Sequence, residues 1–482
     1  MNDQLHKMLI PSDGTVHLAL ETLNRSGTGT LFAVDQDGLL CGVVTDGDIR
    51  RGLLAGATLR SPVREVMNSK YVVATQGRFT QQDLDGLDER IRYLPVVDER
   101  GAPVDFFLFE YRMHIPVAKP FLSGNEGRYV NECITTGWIS SQGRFVKKFE
   151  EEFAAFCSSR HGIATCNGTA ALHLALATLR VGRGDEVVVP SLTFAATVNA
   201  VLYTGATPVF ADSNMETWGL DPESLARAIT PRTKAVIPVH LYGQPAEMGP
   251  IMALSREHGL HVVEDAAEAH GATYRDRQVG SIGTLGCFSF FGNKILTTGE
   301  GGMVVTDDEG LANLARILRD HGMDPQRRYW HPHVGFNYRM TNLQAAVGCA
   351  QLERVEHILD CKRRIRDWYT RRLEDMRTLV FPPDNAWSRS VYWMYSILVD
   401  ETRTGIGRDG FIAAFREHGI EVRPFFCPVH TMPPYHTGQT LPCAEYLSQT
   451  GINLPSYVGL TEDEVDRVCA VIRKVLGEAG GL

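Results

Sequence analysis

Apolar and polar positions along the chain follow two rhythms that change near residue 115. Before that point, apolar residues recur at helical spacing over 16–23 and then alternate over 29–34 and 42–45. The turn residues Asp35-Gln36-Asp37-Gly38 separate the two alternating runs. This predicts a helix followed by a hairpin, with Asp46-Gly47-Asp48 opening a further helix through Ile49, Leu53 and Leu54. A weaker echo comes next: a helix around 82–91, a strand over 93–97, a turn at Asp98-Glu99-Arg100-Gly101 and a strand over 104–108. Such repetition implies two copies of one unit packed together.

Pro116 and Pro120 disfavour helix over 115–120 and mark a linker. Beyond it, helices and strands alternate, with helices over 170–179 and 198–202 and strands over 186–189, 208–210, 235–239 and 261–263. Alternation of this kind predicts a mostly parallel, doubly wound α/β sheet. A long, charged amphipathic helix over 352–373 is placed to cross to a second lobe. There, a strand over 395–399 and helices over 410–417 and 462–476 predict a small α+β domain. The expected domains are 1–114, 115–355 and 356–482.

Composition narrows the function classes. The 482 residues suggest about three domains, and a hydrophobic share of 44% allows a sizeable core. A net charge of −9 without a long acidic run argues against nucleic acid or an anionic membrane as partner. The N-terminal stretch is broken by Pro11 before it reaches the length of a signal segment, and no run of about 18 apolar residues follows. The chain therefore reads as cytoplasmic. Its ten cysteines contain no Cys-x-x-Cys pair, which argues against a zinc site and a disulfide framework. Cys166 and Cys287 read as small buried hydrophobes.

The candidate chemistry centres on Lys294, in Ser289-Phe290-Phe291-Gly292-Asn293-Lys294, and on Asp265 at the end of the apolar run from His261. A lysine that holds an aldehyde as a Schiff base needs a site favouring its neutral form, and Phe288, Phe290 and Phe291 are placed to supply an apolar wall. Pyridoxal 5′-phosphate (PLP) works as an electron sink while its ring nitrogen stays protonated, and a buried carboxylate such as Asp265 serves that end. Asn167-Gly168-Thr169 precedes a helix and is suited to a phosphate, through free amides and the Thr169 hydroxyl. Phe194, past a strand's carboxyl end, is placed to stack on a cofactor ring. No metal site is expected.

Read together, these residues resemble the DegT/DnrJ/EryC1/StrS family of sugar-nucleotide aminotransferases, PLP enzymes of fold type I, over about 115–482. The motifs are Gly137-Trp138-Ile139-Ser140-Ser141, Asn167-Gly168-Thr169, Ser191-Leu192-Thr193-Phe194, His240-Leu241-Tyr242-Gly243-Gln244, Glu264-Asp265-Ala266-Ala267-Glu268, the segment 288–302, and Gly335-Phe336-Asn337-Tyr338-Arg339. The resemblance implies that Lys294 carries the cofactor and that Asp265 faces the pyridine nitrogen. It makes Gly168, Thr169 and Ser289 phosphate ligands and Phe194 the stacked ring. Asn337 reaches the phosphate of a neighbouring subunit, which implies a homodimer with shared sites, or a higher oligomer. Glu268 stands where many relatives have glutamine, near the cofactor's phenolic oxygen.

A narrower resemblance is to the GDP-perosamine synthase branch, carried by Arg328-Tyr329-Trp330-His331 and by Arg423-Pro424-Phe425-Phe426 with Pro428-Val429-His430. It makes Trp138, Ser140, His331, Arg423 and His430 candidate sugar-nucleotide contacts. The implied reaction is a ping-pong transfer of an amino group from L-glutamate to a nucleotide-linked 4-keto-6-deoxy sugar, for surface polysaccharide or glycan synthesis. UDP- or dTDP-linked acceptors, 3-keto acceptors and a sugar dehydratase remain as alternatives, though related dehydratases replace the lysine by histidine. Residues 1–114 resemble a CBS-domain pair, in which Thr45 and Asp48 would contact the ribose of an adenine nucleotide. The second copy lacks a matching Thr-x-x-Asp. A CBS-type nucleotide sensor with an inactive catalytic domain is the non-enzyme alternative.

Overall fold

The computed structural model describes residues 3–78, 92–108 and 115–478. The expected helix around 82–91 and the expected boundary at 114 lie outside the described residues. The chain divides into two compact units, Met1–Arg112 and Met113–Leu482.

In the first unit the strands of the predicted repeat pair in the same way twice. Strand Leu9–Pro11 runs parallel to Thr30–Val34, which pairs antiparallel with Leu40–Thr45. Ala74–Thr75 likewise runs parallel to Tyr93–Val97, which pairs antiparallel with Pro103–Leu108. Both hairpins close on an aspartate. Asp35 Oδ1 accepts the N–H of Asp37 and Leu39, and Asp98 Oδ1 accepts the N–H of Arg100 and Ala102. The helix Val16–Ser26 is capped by Thr15 and stopped at Gly27, whose φ is 68°. Its apolar face, with Val16, Ala19 and Leu23, packs on Leu31, Ala33, Val44 and Ile49.

The second unit is built on a seven-stranded sheet. In chain order its strands are β1 (His161–Thr165), β2 (Glu186–Pro190), β3 (Thr207–Ala211), β4 (Thr233–Val236), β5 (His261–Asp265), β6 (Leu285–Ser289) and β7 (Gly302–Thr306). Their order across the sheet is β1-β7-β6-β5-β4-β2-β3. All pairings are parallel except those of β7, which is antiparallel to both neighbours. The strands β2, β6 and β7 are buried along their whole length, which fits the Val-rich runs of a sheet covered on both faces. The expected strand over 235–239 stops at Val236, because Pro238 has no N–H to continue the ladder.

The expected helix over 352–373 begins later, as Val355–Leu373; Leu352 instead ends the helix Asn342–Leu352. Beyond it, a four-stranded antiparallel sheet joins Leu379–Val380, Tyr395–Val399, Gly451–Leu454 and Arg423–Pro424 in that order. The helices Arg408–Glu417 and Glu462–Glu478 complete the smaller lobe, their core including Phe411, Phe415, Val468 and Ile472. The expected linker is docked: Ile115 and Val117 are fully buried. The Ile115 N–H donates to the Gly419 carbonyl at 3.2 Å, and its carbonyl accepts from the Glu421 N–H at 2.9 Å. Prolines fit beside such a pairing because an edge strand leaves alternate N–H groups unused. Among the described residues, no helix is long and apolar enough to cross a membrane.

Candidate active site

Parallel strands deliver side chains to one edge of the sheet, at their carboxyl ends. β1 leads into Asn167 and Gly168, β2 into Thr193 and Phe194, β5 ends on Asp265, and β6 ends on Ser289 just before Lys294. These residues line one cavity of about 440 Å³, which also takes in Thr169, Glu268, Trp393 and Arg423.

One end of the cavity is suited to an anion. Asn167 caps the helix Gly168–Thr178, its Oδ1 accepting the Ala170 N–H at 2.8 Å, which leaves the first amides of that helix facing outward. Gly168 is required by packing: a Cβ there would lie 2.7 Å from Ser289 Cβ. The missing side chain therefore lets the Ser289 hydroxyl approach the helix N-terminus. The phosphate of PLP fits this cradle in charge and in donor set.

Asp265 is buried, with Oδ2 accepting the Thr197 hydroxyl at 2.7 Å and Oδ1 the Ala267 N–H at 3.2 Å. Thr193 and Thr197 hydroxyls lie 2.9 Å apart and extend that network. Burial raises the Asp265 carboxyl above its ordinary range; the Thr197 and Ala267 bonds and the Lys294 charge oppose that rise. Behind it, Glu264 accepts the N–H groups of Gly280, Ile282 and Gly283 and pairs with His240 Nε2 at 3.0 Å. His240 Nδ1 accepts the Ala246 N–H, which assigns the ring proton to Nε2.

Lys294 Nζ lies 3.2 Å from Glu268 Oε1. The other oxygen of Glu268 accepts the Tyr242 N–H at 2.8 Å. Tyr242 has a φ of 53°, a left-handed conformation that costs about 1–3 kcal/mol for a non-glycine residue. Burial raises the Glu268 carboxyl as well, and Lys294 counters it. The expected aromatic wall is only partly where it was placed. Phe288 and Phe290 are core residues, meeting Phe153 edge to face at 5.0 Å, and only Phe291 reaches the cavity. The ring that covers the lysine is Trp393, its centroid 4.0 Å from Nζ.

Phe194 and Arg423 stand at the cavity, Phe194 60% exposed and Arg423 paired with Glu421 at 3.1 Å. His430 does not. It is 1% exposed, with Nδ1 2.6 Å from Ser191 Oγ and Nε2 3.3 Å from Glu445 Oε1. Both nitrogens are committed to pinning the segment after Pro428 onto the end of β2, so this histidine is a structural tie. Trp138, Ser140, His331 and Asn337 are exposed and do not line the cavity of their own chain. The Trp138 and Ser140 carbonyls accept from Asn342, His331 Nδ1 lies 3.0 Å from the His321 carbonyl, and Asn337 bridges to Asp320.

In the first unit, Thr45 and Asp48 form a capping box. Asp48 Oδ2 accepts the Thr45 N–H and hydroxyl at 2.9 and 2.7 Å, and Arg51 holds Oδ1 at 2.6 Å.

Three residues of the site carried no role in the sequence-based expectations: Thr197, Tyr242 and Trp393. Thr197 and Tyr242 stand at or beside the quoted motifs, so proximity to those motifs was an available signal. Trp393 had none, lying far along the chain beside the strand Tyr395–Val399.

Comparison with known proteins agrees with this geometry. Residues 121–473 match the model of the DegT/DnrJ/EryC1/StrS aminotransferase family, and residues 6–55 match the CBS domain. A GDP-perosamine synthase of Caulobacter vibrioides is 53% identical over 365 residues, 75% of this chain and 98% of that protein. EpsN of Bacillus subtilis, described as a putative pyridoxal phosphate-dependent aminotransferase, is 39% identical over 370 residues, 74% of this chain and 95% of that one. The crystal structure of DesV from S. venezuelae in complex with a ketimine intermediate superposes with a TM-score of 0.69 at 34% identity. It covers 73% of this chain and 94% of that one. The chain thus belongs to the DegT/DnrJ/EryC1/StrS aminotransferase family, as a PLP-dependent sugar aminotransferase with a CBS domain at its N-terminal end.

Proposed function

We propose that the chain transfers the amino group of L-glutamate to C4 of a GDP-linked 4-keto-6-deoxyhexose, giving a 4-amino sugar nucleotide for surface polysaccharide synthesis. The observation that carries the nucleotide and the keto position is the 53% identity to a GDP-perosamine synthase across 98% of that protein. Bound PLP supplies the electron sink. Lys294 Nζ holds the cofactor and, once displaced by the incoming amine, takes the donor's α-proton and later returns a proton at C4 of the sugar. Asp265 keeps the ring nitrogen protonated, and its support from Thr197 and Ala267 fixes its orientation. Gly168, Thr169 and Ser289 hold the phosphate, Phe194 covers the ring, and Arg423 at the rim meets the sugar-linked diphosphate.

The test is a panel of GDP-, UDP- and dTDP-linked 4-keto sugars, with a 3-keto sugar for comparison, assayed for glutamate-dependent amination. The GDP-linked 4-keto sugar is expected to give the highest kcat/KM. A preference for another nucleotide or keto position sinks the substrate assignment, and sugar turnover that needs no amino donor would favour a dehydratase. A visible band in the wild type that Lys294→Ala abolishes supports the reaction class; its absence from PLP-supplemented wild type sinks it.

For the first unit, the CBS match over 6–55 favours an adenine nucleotide near Thr45 and Asp48. Both carboxylate oxygens of Asp48 are already engaged, so a nucleotide has to displace Arg51 or use the Thr45 end of the box. A melting shift with AMP, ADP or ATP that Asp48→Asn reduces would support this. No shift with any of the three leaves the box as a helix cap alone.

A further inference from the structure

Trp393 follows Tyr392, whose φ of 48° lies in the left-handed region, and is itself 5% exposed. Its indole face forms part of the cavity wall and lies over Lys294 Nζ. The indole N–H donates to the Asn293 carbonyl at 2.7 Å, so the ring is bonded to the residue that precedes the lysine it covers. Tyr242 lies nearly parallel to it, at 19° and 6.2 Å between centroids, and carries the N–H that holds Glu268. Gly243 lets the two chain segments meet, because a Cβ there would lie 2.7 Å from the Trp393 backbone nitrogen.

The main chain of Trp393 is tied from within the smaller lobe. Its carbonyl accepts from Lys362 Nζ at 2.9 Å, and Lys362 also donates to the Ser456 carbonyl. Lys362 is 5% exposed, and among the described residues no carboxylate lies within ion-pair distance of it; burial pushes its amine down to about 7. A methionine would fill that space without desolvating a charge. The lysine instead spends two donors on carbonyls, one of which belongs to the residue that covers Lys294.

We infer that Trp393 is a positioning residue for the Lys294 amine, and that Lys362 and the Asn293 carbonyl hold its indole in place. This rests on the reading of Lys294 as the lysine that carries the cofactor. An indole face attracts an ammonium and excludes water beside it, while Glu268 holds the same amine at 3.2 Å. The two contacts confine Nζ to a narrow set of positions. An amine that moves a proton between two carbons depends on such confinement, since a misplacement of about 1 Å can cost roughly 100-fold in rate.

Stripping the cofactor with hydroxylamine and adding PLP back tests the inference. The return of the visible band gives the reloading rate, and borohydride reduction followed by mass spectrometry identifies the lysine that carries the adduct. Trp393→Leu is expected to reload Lys294 about 3- to 10-fold more slowly, because the amine is less closely confined beside the cofactor. Its kcat is expected to fall more than its KM for the sugar rises. Trp393→Phe keeps an aromatic face and should recover most of the reloading rate, and Trp393→Met replaces the leucine variant if that one does not fold. Lys362→Met should slow reloading and lower kcat with the indole still present. Trp393→Leu or Trp393→Met that reloads and turns over like the wild type overturns the role of Trp393. Lys362→Met altered only in melting temperature overturns that of Lys362. A wild type whose adduct sits on another lysine removes the Lys294 reading and this inference with it, so the two failures are distinguishable.

Discussion

His270, two residues past Glu268, shows how a side chain near the site can act through its burial. It is fully buried among Phe153, Phe288 and Phe290, with ring centroids 5.4–6.1 Å away, and neither ring nitrogen has a well-aligned hydrogen-bond partner. Burial, with the nearby Lys294 charge adding to it, pushes the imidazole down to about 3; a poorly aligned contact with the Ser289 backbone opposes the shift. The folded state therefore keeps His270 neutral while the unfolded chain, near 6.5, takes up a proton as the pH falls. Stability contributed by the neutral ring is complete above about pH 6.5 and is lost progressively toward pH 3. Between pH 7 and pH 5 this amounts to about 2 kcal/mol. Urea unfolding at both pH values should show a loss of stability toward pH 5 that is smaller in His270→Leu than in the wild type by that amount. An equal drop in both proteins would place the acid sensitivity elsewhere.

At the scale of elements, the cradle depends on two chain segments meeting without a side chain between them. Gly168→Ala puts a methyl 2.7 Å from Ser289 Cβ, and overpacking of this kind typically costs about 1–3 kcal/mol. The helix keeps its Asn167 cap, so the expected result is a folded protein with PLP affinity reduced about 5- to 100-fold, read by titrating the visible band. Unchanged affinity would remove the cradle from the phosphate site. Most elements were legible because their signals are local: apolar β-branched runs, the Asp35 and Asp98 turns, Pro238. So were Asp265 and Lys294, since each stands at or beside the carboxyl end of a strand. What escaped depends on segments distant in the chain. Trp393 reaches Lys294 only because the smaller lobe packs against the end of β6. Leu352 and Val355 belong to separate helices although the apolar spacing continues across them. His430, for its part, offers the same residue type whether it meets a sugar or ties a loop to Ser191.

For the second unit as a whole, the exposed residues of the site motifs matter as well as the cavity of one chain. Trp138, Tyr329, Trp330 and Val334, all in or beside the site motifs, are 58%, 74%, 51% and 93% exposed. Asn337 is exposed as well and does not line the cavity of its own chain, and we propose that it serves the phosphate cradle of a partner subunit. A homodimer with shared sites makes a specific demand. In a hybrid of Lys294→Ala and Asn337→Ala subunits, twofold symmetry gathers both defects into one site and leaves the other intact. Each variant alone is expected to be weakly active or inactive. Random mixing after reversible dissociation yields hybrids in about half of the dimers and should restore about a quarter of wild-type activity. If Asn337 served its own chain, each hybrid site would carry one defect and mixing would restore nothing. Recovery near a quarter therefore separates an asparagine that crosses between subunits from one that does not.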